Sequence, residues 1–142
     1  MGKSLDYYDY AEDGYKCLQK CIKSGIYDNA LASLAQNTCE RYLKHLINYY
    51  MDASNLSEMR THSIKMLLKF VTTKFKDLDI DKSIVMRADG YYIKSRYPGD
   101  DSFFASKQDV LDAFAAVEET KNAVDKYLKE HRLNDLESLS LF

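Results

Sequence analysis

Apolar residues recur along this chain at alternating intervals of three and four, the spacing that lines one face of an α-helix. Ala11, Tyr15, Leu18 and Ile22 make the first stripe, which predicts a helix from about Asp6 to Ser24, ended by Gly25. Beyond Gly25-Ile26-Tyr27, Asp28 is of a type that caps a helix N-terminus. Leu31, Leu34, Ala35, Cys39, Tyr42, Leu43, Leu46, Ile47 and Tyr50 then keep the helical period without a break. So short a connection folds the second helix back antiparallel to the first.

Asp52 to Ser57 is polar and turn-like, and Ile64, Leu67, Leu68, Val71 and Phe75 mark a third helix ending near Lys76, with His62 at its entrance. Asp77 to Asp81 reads as a connection into a shorter helix through Ile84, Ala88 and Tyr91. That helix ends before Ser95-Arg96-Tyr97-Pro98-Gly99-Asp100-Asp101, because proline biases the residue before it away from helix. Ser106, with Asp109 three residues on, resembles a capping box and opens a last helix carrying Val110, Phe114, Val117, Val124 and Leu128 to about Arg132. At 1.5 Å per residue it spans roughly 39 Å. The tail, with Leu133, Leu136, Leu139, Leu141 and Phe142, is too apolar for a solvated terminus, so it is expected to fold back or to meet a partner.

With one proline, five glycines and no repeats, the pattern predicts an all-α fold. The expected architecture is an up-and-down four-helix bundle with one additional shorter helix. A single domain is expected over residues 1–142, with its core at about 6–132 and an apolar tail at 133–142.

Composition narrows the function classes. With 46% apolar residues the chain can bury a core unaided, and nothing approaches the roughly 18 apolar residues of a membrane helix. The opening MGKSLDYYDY has no apolar run of a secretory signal, so a cytoplasmic protein is expected, with no membrane association. Cys17, Cys21 and Cys39 all fall inside helical patterns and fit reduced thiols packed as small hydrophobes. Cys17 and Cys21 lie one turn apart, but no histidine or second cysteine pair completes a tetrahedral set, so no metal or cofactor is expected. The net charge of −2 and the dispersed basic residues give no broad footprint for duplex nucleic acid, which confines any such contact to a local site. Twelve tyrosines and six phenylalanines exceed what one narrow core hides, which favours pairing into a homodimer.

Three segments stand in a telling order. The first helix ends in Lys-Ser-Gly-Ile-Tyr-Asp-Asn-Ala, and the second holds Ala35-Gln36-Asn37-Thr38-Cys39-Glu40-Arg41-Tyr42-Leu43-Lys44. His62-Ser63-Ile64 precedes Leu67-Leu68, and Arg96-Tyr97-Pro98 follows a helix holding Asp89. From about Asp6 to Lys129 this order resembles the HEPN family, the nucleotide-binding helical bundles of higher eukaryotes and prokaryotes. The second helix of that family typically reads Ala-x-x-x-x-Glu-(Lys/Arg)-x-Leu-Lys. The resemblance implies a nucleotide or RNA ligand and a homodimer. It also implies a minimal nucleotidyltransferase as partner in a toxin-antitoxin couple.

The same residues have plainer readings. Glu40 and Lys44 make an (i, i+4) pair that on a surface is worth a few tenths of a kcal/mol. His62 at a helix entrance can bond neighbouring backbone. Arg96 and Tyr97 on a fixed turn suit a phosphate and a base, with Tyr92 as a further stacking ring and Asp89 beside them, yet a packed tyrosine and an arginine–carboxylate pair fit equally.

Many HEPN members are metal-independent ribonucleases with arginine, four to six residues, then histidine, and this chain lacks that spacing. Arg41 and His45 come nearest, separated by three residues where the family has at least four, and on one helical face. The expectation is therefore a non-catalytic binding module. The alternatives are a ribonuclease using Arg41 with His45, or His62 with Arg96, and a pure interaction bundle with Tyr49, Tyr50, Tyr91 and Tyr92 at its interface.

Overall fold

The computed structural model describes residues 5–91 and 104–140, with side chains as far as His131 in the last helix. The described residues form helices, turns and irregular connections, with no strand among them. Helix α1 spans Tyr7–Lys23, α2 Ala30–Tyr50, α3 Ile64–Lys74, α4 Lys82–Val85 and α5 Lys107–Ser140. Single 3₁₀ turns at Ser57–Arg60 and Met86–Ala88 complete the elements.

The helix ends follow local chemistry. Asp6 and Asp9 form a capping box, each carboxylate accepting from the other's backbone N–H at 2.9 and 3.0 Å. At the far end Gly25 takes a left-handed φ of 73°, its N–H donating to Ile22 O at 3.0 Å and that of Ile26 to Cys21 O at 2.8 Å. This paired closure satisfies two carbonyls the helix would leave orphaned. Ser106 and Asp109 repeat the capping box at the head of α5, as their spacing predicts.

Asp28 does not open α2. The helix begins at Ala30 after Asn29, whose side chain makes no cap bond and instead accepts from Ala105 N at 2.7 Å, fastening the approach to α5. The shorter helix expected through Tyr91 breaks after Ala88: Asp89 is extended, its carboxylate accepting from Ile64 N at 3.0 Å, and Gly90 turns the chain at φ 89°. Helix α5 does not stop at Arg132, and its tail does not fold back through residue 140. No glycine or proline lies between Arg132 and Ser140, so nothing local ends the helix, and at 34 residues it spans about 51 Å. Residues 141–142 lie outside the described residues.

Helix α2 is the axis of the fold. Thirteen of its 21 residues are buried, more than one stripe allows, because α1, α3 and α5 all pack on it. Leu43, Leu46 and Ile47 meet Ile64, Leu67 and Val71 from α3 and Val110, Val117 and Val124 from α5 in one continuous core. Gly14 sets the approach of α1, since a Cβ there would collide with the Thr38 hydroxyl. Cys39 is buried, and burial pushes its thiol up to about 12 although Thr120 bonds to it. Cys17, in contrast to the packed thiol expected, lies exposed on α1.

Strict up-and-down alternation holds for α1 and α2 but not for α3. His62 at the head of α3 lies by Gln36 and Glu40, while the ring of Phe75 at its end tilts against that of Tyr50 at 5.7 Å, so α3 runs in the same sense as α2. Residues 51–63 are long enough to carry the chain back along α2, which the hydrophobic period alone does not show. The strand of chain from Asp77 to Tyr91 then runs against α5, pinned by His131–Asp77 at 3.0 Å, Lys126–Asp79 at 3.0 Å and Asp81 N–Glu119 at 2.9 Å.

Candidate functional site

The second-helix motif and the His62 motif meet in space. Glu40, 3% exposed, accepts from Gln36 Nε2 at 3.2 Å, faces His62 Nδ1 at 3.2 Å and lies 3.9 Å from Lys44 Nζ. Gln36 Nε2 also donates to the His62 carbonyl, so one amide bridges α2 to the chain entering α3. Ser63 then caps α3 by accepting from Met66 N at 3.2 Å, and Asp89 holds Ile64 N from the other side. His62 is therefore fixed in orientation while its side chain stays 49% exposed.

Glu40 and Lys44 are not the surface pair their spacing implies. Both side chains are under a tenth exposed because α3 and its entry segment cover that face of α2. Burial draws the Lys44 ammonium below its usual value, with Arg41 adding to the effect and Glu40 opposing it. A buried ion pair survives this cost only when its remaining polar atoms are bonded, and Gln36 and His62 do that for Glu40.

Arg41 and His45 share a helical face but take different partners. The Arg41 guanidinium lies over the Tyr10 ring at 5.8 Å. The His45 ring tilts against Tyr8 at 5.2 Å and Tyr49 at 6.0 Å, where burial lowers its pKa against the pull of Asp6, Asp9 and Asp125. Arg96, Tyr97 and Tyr92 lie outside the described residues. Of the interface tyrosines, Tyr49 is 57% exposed, whereas Tyr91 is buried and cannot serve as one in this arrangement.

A second cluster escapes sequence reasoning altogether. Lys121 of α5 donates to Glu12 at 2.7 Å and Asp125 at 2.9 Å, while Tyr42 donates to Glu12 and Tyr8 to Asp125, each at 2.8 Å. The rings of Tyr8, Tyr15 and Tyr42 all stand within 6 Å of the ammonium. Burial alone would raise Glu12, but the bonds from Lys121 and Tyr42 outweigh it and hold the carboxyl below its ordinary range. Burial and the carboxylates push both phenols well up, and the two carboxylates hold the ammonium well up against burial. Glu12, Tyr8, Tyr42 and Lys121 are thereby held in their resting protonation states, which suits a structural tie and not acid–base catalysis. The only sequence trace is the pair of (i, i+4) spacings Tyr8–Glu12 and Lys121–Asp125, on helices more than a hundred residues apart.

With this geometry in view, the HEPN domain family model matches residues 4–128. The chain belongs to the HEPN domain family. No curated protein and no solved structure matches it. In this HEPN chain the family-like segments around Glu40, His62 and Asp89 converge at the junction of α2, the head of α3 and the end of the Met86–Ala88 turn. No group of three or more histidine, cysteine or acidic side chains among the described residues is arranged to hold a metal ion, and no described helix is long and apolar enough to cross a membrane.

Proposed function

We propose that this HEPN chain is a non-catalytic module that binds a nucleotide or RNA, acting in the cytoplasm as a homodimer. A minimal nucleotidyltransferase is its proposed partner in a toxin-antitoxin couple. The observation that carries the binding reading is His62, held at Nδ1 by the buried Glu40 and half exposed at the surface. A ring fixed in that way presents one face and edge to a base or phosphate without losing rotamer freedom on binding. Asp89 anchors the same junction, and the chain leads from it through Tyr92 to Arg96 and Tyr97, the residues proposed to stack on a base and contact phosphate. Arg41 and His45 each lie against a different tyrosine ring, which favours binding over cleavage by that pair.

Thermal unfolding with saturating mononucleotides and short RNAs tests this. A ligand at 100 times its Kd adds about 2.7 kcal/mol, a midpoint shift of several degrees at this size. The shift should vanish in His62→Ala and Arg96→Ala; no shift with any ligand would overturn the reading. One observation favours a second function, a metal-independent ribonuclease with His62 as its base and Arg96 as its charge stabiliser: a carboxylate on Nδ1 is the partner that orients a general base. Cleavage of RNA by the wild type, lost in a folded His62→Ala variant, is what that reading requires.

A further inference from the structure

Helix α3 has a second face that the core uses only in part, through Phe70. Ile64, Leu67, Leu68 and Val71 are buried, and on the opposite side Met66, Phe70 and Thr73, spaced four and three apart, form a row between Lys65 and Lys69 on one flank and Lys74 on the other. Met66 is 49% exposed, and Met66, Lys69, Phe70, Thr73 and Lys74 line a groove of about 370 Å³ with Glu58 at its edge. The helix contains no acidic residue, and no ion pair is made by Lys65, Lys69 or Lys74 among the described residues. In a chain of net charge −2, cations flanking the exposed Met66 thioether and the partly buried Phe70 are a local reversal of sign.

We propose that this face of α3 docks an acidic amphipathic helix of a partner protein, its apolar side chains entering the Met66–Phe70 groove and its carboxylates meeting the flanking lysines. The charge pattern selects this occupant. A second copy of the same face would set lysine against lysine. A nucleic acid strand would meet lysines, yet the aromatic ring in the groove, Phe70, is partly buried against the core and is a poorer stacking platform than an exposed ring. Methionine is well suited to a mobile apolar contact, because its unbranched, polarisable side chain repacks at little cost. The proposal stands apart from the nucleotide reading and does not depend on it.

The probe is a fluorescein-labelled synthetic peptide of about 18 residues, long enough to favour a helix in water, with leucines on one face and glutamates on both flanks. Anisotropy should show binding that weakens with salt and falls at least about tenfold in Lys69→Glu/Lys74→Glu and in Met66→Ser. A peptide of the same leucine pattern with lysine in place of glutamate should bind the Lys69→Glu/Lys74→Glu chain, which shows that the variant is folded. Amide shifts on titrating labelled protein should centre on Glu58 and Lys65–Lys74. Failure of the wild type to bind, equal binding of a scrambled peptide, or shifts centred elsewhere overturns the proposal. So does a single-stranded RNA that binds only the wild-type face while the peptide does not, or loss of self-association in the Lys69→Glu/Lys74→Glu chain, which would assign the face to RNA or to a second copy.

Discussion

On one side of α2, Tyr42 joins Tyr8, Glu12, Lys121 and Asp125 in a knot of hydrogen bonds; on another, Gln36 and Glu40 hold His62, with Lys44 beside Glu40. Both sets bury charge, and both tie α2 to elements distant in sequence. They differ in where the charge ends. In the knot each group is answered by another within it, and the displaced pKa values all favour the resting state. Around Glu40 the buried carboxylate is answered in part by an imidazole half in solvent. A cluster of shifted titratable groups is thus not by itself a site; the set that leads outward is the better candidate.

The comparison can be broken most severely at Glu40. Glu40→Ala should cost about 3–5 kcal/mol, because the buried Lys44 ammonium and Gln36 amide lose their common partner. Urea unfolding measures it, and a loss under about 1 kcal/mol would mean that water solvates Lys44 freely. Lys121→Met comes next, at about 2–3 kcal/mol, since Glu12 and Asp125 are left near each other without the cation. Gly14→Ala should cost about 1–3 kcal/mol by wedging α1 from Thr38, with Thr38→Ala restoring much of it. If the knot depends on that close approach, Gly14→Ala and Lys121→Met will not be additive.

The pH dependence has a defined sign. Glu12 titrates lower when folded, so its contribution is present above the ordinary carboxyl range and drains as the pH falls below about 4. Tyr8, Tyr42 and Lys121 titrate higher when folded, so theirs is present below about pH 10 and is lost as the pH climbs beyond it. Wild type should lose more stability than Lys121→Met at both extremes. The smallest effect belongs to His62→Ala, under about 1 kcal/mol, while any ligand-induced shift disappears. Should it cost as much as Glu40→Ala, His62 is a structural support and the contrast between the two faces fails.

What the sequence made legible was local. Gly25, Ser106 and Asp109 announced their helix ends because capping chemistry acts over three or four residues. The pairing of Glu40 with Lys44 was equally visible from spacing, but not its burial, which depends on residues 51–63 carrying α3 back alongside α2. The break at Asp89 was hidden because its cause, the N–H of Ile64, lies 25 residues away. The Lys121 knot was hidden for the same reason on a larger scale, its members coming from three helices. Periodicity reports how much of a helix is covered and says nothing of which neighbour covers it.

The bond from Asn29 to Ala105 has an evolutionary consequence when set beside that from Asp89 to Ile64. Each fastens a point of the chain to a different helix, one just before and one just after residues 90–104. Loss of the Asp89 carboxylate or of the Asn29 amide oxygen leaves a backbone N–H without its partner, so a lineage has little freedom to exchange either residue.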